Sequence, residues 1–185
     1  MKGLLIVDMQ KISFTPETPR FDAEGVVKRI NSLSDYFRKN GDKVIFIQHD
    51  GSKGNFCIPG SVEWEIIESL NVDNTDIIVG KTANDSFYNS NLNEILKGFG
   101  IEEIVITGCA TDFCVDATVK SALTNNYKVT VIANGHTTAN RPHLNADKII
   151  EHYNWIWKEM IPVNGNIAVV DLENYLNSLN TIVLV

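Results

Sequence analysis

The chain has 185 residues, 44% apolar and 21% charged, with 23 acidic against 16 basic side chains and a formal net charge of −7. This size predicts one domain over residues 1–185 with a core of its own, and the acidic balance argues against nucleic acid or an anionic membrane as a partner. No apolar run approaches the roughly 18 residues of a membrane span, Met1 to Asp8 turns acidic too soon for a signal peptide, and three cysteines (Cys57, Cys109, Cys114) do not make a disulfide framework, so a reduced cytoplasm is the expected compartment.

Apolar runs of strand length alternate with segments of helical period. Leu4 to Val7 is the first strand. Val26, Ile30, Leu33 and Phe37 then recur at steps of four, three and four, one face of a helix closed by Asn40-Gly41. Val44 to Ile47 is the second strand, followed by a polar loop from Gly51 to Gly60 and a short helix capped by Ser61 and running to Leu70. Ile77 to Val79 is the third strand, and Leu92, Ile95, Leu96 and Phe99 mark a helix with Asn91 and Glu94 at capping-box spacing. Ile104 to Ile106 is the fourth strand, with a turn at Gly108 to Asp112 and a helix from about Asp112 to Asn125. Val129 to Ile132, a helix carrying Ala146, Ile149, Ile150, Tyr153 and Ile156, Ile167 to Val170 and a helix from Leu172 to Leu179 complete the pattern; Thr181 to Val185 is a β-prone tail. The alternation predicts a three-layer α/β/α fold on a central, mostly parallel sheet of about six strands.

Such sheets bind ligands beyond the carboxyl ends of their strands, which directs attention to Asp8, His49, Lys81, the turn from Cys109 to Cys114, and Asn134 to His136. Asp8 ends an apolar run, where partial desolvation makes a carboxylate a better base, although a surface ion pair or a cap would also place one there. Lys81 follows Gly80; a lone lysine at a strand end is ordinarily a solvated charge. Cys114 falls in the first turn of the predicted helix, where the dipole favours thiolate over thiol. Cys57 and Cys109 fit buried structural cysteines, and His152, near an apolar stripe, fits a structural histidine. No two histidines have zinc-motif spacing, Asp8-Met9-Gln10-Lys11 is no dinucleotide fingerprint, and Gly80-Lys81-Thr82 lacks the earlier glycine of a P-loop, so no cofactor is expected.

Three segments together, Leu5-Ile6-Val7-Asp8-Met9-Gln10, Gly80-Lys81 with Phe87, and Gly108 to Thr118 around Cys109-Ala110-Thr111-Asp112-Phe113-Cys114, resemble the isochorismatase-like cysteine hydrolases, the superfamily that includes nicotinamidases. The resemblance covers nearly the whole chain, with further matches at Phe14, Ile58-Pro59-Gly60-Ser61 and Val129 to His136. It implies Cys114 as nucleophile, Asp8 as general base, Lys81 as third member of the triad, an oxyanion hole from the Ala110 and Cys114 amides, and a non-proline cis peptide within Cys109-Ala110-Thr111. It also implies a homo-oligomer, dimer or tetramer.

The sequence departs from the nicotinamidases where they carry an Asp-x-His metal pair: the region reads His49-Asp50-Gly51-Ser52. No catalytic metal is therefore expected, and nicotinamide fits less well as substrate. Asn134-Gly135 stands where an Asp-Ala pair is common. Phe14, Trp64, Phe87, Thr111 and Phe113 are the candidate substrate-binding residues; any single aromatic among them is as readily explained as core. The reading is a cysteine hydrolase that cleaves a C–N bond of a small-molecule amide through a thioester. The alternatives are an isochorismatase-type or other non-amide hydrolase and a catalytically silent metabolite-binding member.

Overall fold

A computed structural model describes residues 1–163 and 166–181. Its six strands are β1 (Lys2–Val7), β2 (Lys43–His49), β3 (Ile77–Lys81), β4 (Glu103–Cys109), β5 (Lys128–Thr137) and β6 (Ile167–Val170), in the order β3-β2-β1-β4-β5-β6. Every neighbouring pair is parallel. The helices are α1 (Ala23–Lys39), α2 (Leu92–Gly98), α3 (Asp116–Thr124), α4 (Ala146–Glu159) and α5 (Leu172–Thr181).

The strands are continuously apolar because both sheet faces are covered. Side chains alternate across the sheet. Leu5, Val7, Ile45 and Ile47 face one way, onto Leu92 and Leu96 of α2, Val119 and Ala122 of α3, and Trp157 of α4. Leu4, Ile6, Val44 and Phe46 face the other way, onto Val26, Ile30, Leu33 and Phe37 of α1 and Leu172 and Tyr175 of α5. The predicted α1 stripe is thus its buried face, and Gly41, at φ +73°, closes it with Gly41 N–H on the Arg38 carbonyl and Asp42 N–H on the Phe37 carbonyl.

Several elements differ from the sequence reading. The Ser61 to Leu70 helix is only a 3₁₀ turn, Val62–Trp64, and Ser61 makes no capping bond. Backbone bonds from Lys11 to Glu65 and from Ile67 to Met9 hold the following segment extended instead. Asn91 precedes α2 without a side-chain cap. The turn Thr111–Val115 is π-helical and α3 begins only at Asp116. β5 runs to Thr137, past a register shift opposite Ile106 and Gly108, so His136 lies within the sheet. Asn134 is structural: its Oδ1 accepts Leu172 N–H at 3.1 Å and so fixes the start of α5. Thr181 ends α5, and the rest of the predicted β-prone tail lies outside the described residues.

β1 feeds α1 on one face and β4 feeds α3 on the other, so the sheet's switch point lies between β1 and β4. Gly108 sits at this seam with φ +118°, and a Cβ on it would stand 2.2 Å from the Val7 carbonyl oxygen. Only glycine fits such an approach. Gly108→Ala is expected to cost at least about 2 kcal/mol, read as a lower urea midpoint with unchanged slope.

Candidate active site

Asp8 leaves β1 in the left-handed region, at φ 46°, a conformation Asp tolerates better than most residues. Its N–H donates to the Ile47 carbonyl at 3.0 Å, so the chain turns immediately above the sheet. Two strands away, Lys81 ends β3. Its ammonium meets Asp8 Oδ2 at 2.7 Å, with side-chain exposures of 0% and 8%, and it donates further to the carbonyls of Ala83 at 2.8 Å and Asn84 at 3.2 Å. The lysine is therefore no solvated surface charge: all three ammonium protons have acceptors. Asp8 Oδ1, by contrast, is buried with no hydrogen-bond partner among the described residues.

The turn Thr111–Val115 carries the sulfur. The peptide Cys109-Ala110 is cis, as the resemblance implies. The turn is held from outside. Arg141 grips Asp112 through two bonds, of 2.8 and 2.9 Å, Thr138 donates to Asp112 Oδ1 at 2.6 Å, and the Arg141 guanidinium lies 4.9 Å from the Phe113 ring centroid. Burial opposes ionisation of Asp112, but the bonds from Arg141 and Thr138 prevail and hold its carboxyl below the usual range. From inside, buried His136 meets Thr111 Oγ1 through Nδ1 at 2.9 Å and Asn154 Oδ1 through Nε2 at 3.0 Å. An amide oxygen only accepts, so Nε2 carries the proton and Nδ1 receives the Thr111 hydroxyl.

Cys114 is half-buried, and its Sγ lies 3.6 Å from Asn84 Oδ1. Burial pushes its thiol up, the Asp8 charge adds to this, and Lys81 pulls the other way. This corrects the expected thiolate. The sulfur rides on a π turn ahead of α3, and burial with a neighbouring carboxylate outweighs any helix-end effect. Cys109, fully buried, is pushed up to about 11, chiefly by burial, and stays a neutral thiol.

These groups border a cleft of about 310 Å³ that includes Asp8, Cys114, Ala110, Phe113, Asn84 and Arg20, together with Gln10, Ile12, Ser13, His49, Phe56, Cys57 and Cys109. Asp8, Cys114, Ala110 and Phe113 of the sequence-derived site thus converge, with Lys81 behind Asp8. The other candidate wall residues do not join them. Phe14 lines a separate groove along α1 with Val27 and Ile67. Phe87 packs in the core, 5.7 Å from the Tyr127 ring. Trp64 serves through its carbonyl, which accepts from Gln10 and Gln48, and Thr111 is fully buried on His136. His152 is exposed rather than structural. Cys57 and Cys109 are buried as expected, yet both border the cleft.

Residues that the sequence reading missed are Asn84, Arg20 and Gln10. Gln10, 1% exposed, accepts the His49 N–H at 2.7 Å and donates to the His49 carbonyl at 3.1 Å, tying β2 to the β1 exit. Its signal was a polar side chain three positions beyond the apolar run Leu4 to Val7. His49 stacks on Phe56 at 5.8 Å, and burial, then the Lys81 charge, depresses its pKa. Among the described residues, no three His, Cys, Asp or Glu side chains are grouped to hold a metal ion.

With that geometry in place, residues 2–157 match the model of the isochorismatase domain. The chain belongs to the isochorismatase family, a family of hydrolases. It is 30% identical over 173 residues to the uncharacterized isochorismatase family protein YddQ of Bacillus subtilis, covering 91% of this chain and 94% of that one. It is 26% identical over 166 residues to the ureidoacrylate amidohydrolase RutB of Caulobacter vibrioides, covering 70% of this chain and 74% of the relative. A crystal structure of an isochorismatase family protein superposes with a TM-score of 0.84 at 28% identity, over 92% of this chain and 98% of the other. The chain spans about half the length of some other curated relatives it matches.

Two outcomes test this account. Lys81→Met strands the Asp8 carboxylate in a buried site and is expected to cost about 3–5 kcal/mol; adding Asp8→Asn should recover a good part of that in a double-mutant cycle of urea unfolding. His136 is depressed from 6.5 to about 4 by burial. The unfolded chain therefore binds the extra proton first, and stability is lost as pH falls from about 6.5 to 4, by up to about 3 kcal/mol. Urea midpoints across that range should fall less steeply in His136→Gln, which keeps a donor and an acceptor but cannot titrate.

Proposed function

We propose that this isochorismatase-family hydrolase cleaves the C–N bond of a small amide through a thioester on Cys114, with Asp8 as general base and Lys81 as the cation that holds it. The observation that carries this reading is the division of labour on Asp8: Oδ2 is fixed by Lys81 at 2.7 Å while buried Oδ1 has no hydrogen-bond partner among the described residues, in the cleft that holds Cys114. A neutral thiol with an unengaged carboxylate oxygen beside it suits proton transfer concerted with attack.

In the proposed sequence, Sγ bonds to the amide carbonyl carbon as its proton passes to Asp8. The carbonyl oxygen takes the displaced electron pair, and the backbone amides of Ala110 and Cys114, both on the cleft wall, stabilise that oxyanion. The C–N bond breaks, its nitrogen takes the proton from Asp8, and the amine departs. A water molecule then gives a proton to Asp8 and its oxygen to the thioester carbonyl. Collapse expels the sulfur, which recovers its proton, and frees the carboxylic acid. Lys81 keeps its proton throughout, since its three acceptors leave it no role but to compensate the Asp8 charge. The relative named an amidohydrolase supports the C–N assignment.

Ammonia release from a panel of small primary amides is expected to fall at least about 10³-fold in Cys114→Ala; undiminished turnover in that variant excludes the covalent route. Asp8→Asn separates base from sulfur. It removes the charge that raises the Cys114 thiol and leaves Lys81 beside it, so iodoacetamide should alkylate Cys114 faster at pH 7, while turnover drops about 10²–10⁴-fold. Slower alkylation with retained turnover would overturn the role of Asp8.

A further inference from the structure

The chain has four arginines. Arg29 pairs with Asp22, Arg38 with Asp35 and Asp76, and Arg141 with Asp112. Arg20 has no carboxylate partner among the described residues, although the chain carries seven more acids than bases. It lies half-buried in the wall of the cleft. Its Nε donates to the Ser13 carbonyl, which fixes the plane of the guanidinium and leaves both terminal nitrogens without partners among the described residues. The other charges of the site cancel: Asp8 is neutralised by Lys81. His49 is held toward its neutral form, and Gln10, Asn84 and the cysteines are uncharged. The cleft therefore has one uncompensated charge, a cation, at its Ser13 side.

A half-buried guanidinium whose two terminal nitrogens have no partner among the described residues is a fork that matches a planar two-oxygen anion. We propose that Arg20 is a substrate-binding residue, and that the substrate carries a carboxylate which docks on it while the amide carbonyl sits at Cys114. The substrate class is the short monoamide or carbamoyl derivative of a carboxylic acid, small enough for a cleft of about 310 Å³. This inference rests on the amide-hydrolase reading for its chemistry but not for its binding, and the two are tested separately.

The probes are a homologous series of dicarboxylic monoamides, malonamate to adipamate, with N-carbamoylglycine, each as free acid and as neutral methyl ester. Calorimetric titration into Cys114→Ala, which cannot turn over, reads recognition alone. At least one acid is expected to bind ten-fold or more tighter than its ester; the gap should vanish in Arg20→Met and return in part in Arg20→Lys. In the wild-type enzyme the same preference should appear mainly in KM, and Arg20→Met should raise KM for the acids by a larger factor than it lowers kcat. Equal binding of acid and ester, a gap that survives Arg20→Met, or no binding of any acid at millimolar concentration overturns the proposal. Binding that discriminates as expected without hydrolysis by the wild type leaves Arg20 as an anion site and refutes the amidase reading instead. Circular dichroism of Arg20→Met checks that it folds, and the partial return in Arg20→Lys separates loss of the cation from loss of structure.

Discussion

The site hangs on one buried ion pair, Asp8 with Lys81. A carboxylate and an ammonium withdrawn from water are costly unless each has its partner and its remaining hydrogen bonds. Here the ammonium is fully satisfied and the carboxylate half-satisfied. The strand order sets that arrangement. β2 lies between β1 and β3, so Lys81 must reach across about two strand spacings of ~4.8 Å. Lysine's long stem covers most of that gap and the Asp8 side chain closes the rest, with His49, the register partner of Lys81 on β2, alongside. The Asp8 oxygen, without a partner among the described residues, is a polar deficiency that the fold leaves where an attacking thiol would need it.

The sulfur is delivered by a turn whose geometry is imposed from three directions. Gly108 allows β4 to press against Val7. Asp112 is anchored by Arg141 and Thr138 from beyond β5, and Thr111 by buried His136. These contacts reach the turn from residues 25 or more positions away in the chain, and the long β5 is what brings them there. A sulfur held in this way would lose little freedom on meeting a substrate, which is the physical content of preorganisation. Arg20 adds a different kind of order. It makes a cleft in an acidic protein locally cationic, and local charge rather than net charge decides what a small site attracts.

The sheet and the strand-end position of Asp8 were legible because their signals are local. Continuous apolar runs of strand length bounded by turn signals read as strands covered on both faces, and a charged residue directly after such a run stands at the sheet's carboxyl edge. Asp8 was read that way; Cys114 was read from the first turn of a predicted helix, and Lys81 joined them through the family resemblance. The aromatic wall was not legible: apolarity in Phe14 and Phe87 says that a ring is buried but not where, and the structure places them in a separate groove and in the core. Asn84 and Arg20 sit in loops without periodicity, so nothing in their neighbours pointed to the cleft.

By itself the sequence determined the α/β alternation, the parallel sheet and the strand-end residues, since hydrophobic periodicity and strand length act over a few residues. Tertiary structure alone decided that, among the described residues, Asp8 keeps one oxygen without a partner and Arg20 has no carboxylate partner, and that burial and the Asp8 charge push the Cys114 thiol up. Charge state and partner are set by groups such as Asp8, Lys81 and Cys114 that lie far apart in the chain, and only the folded sheet brings their fields together.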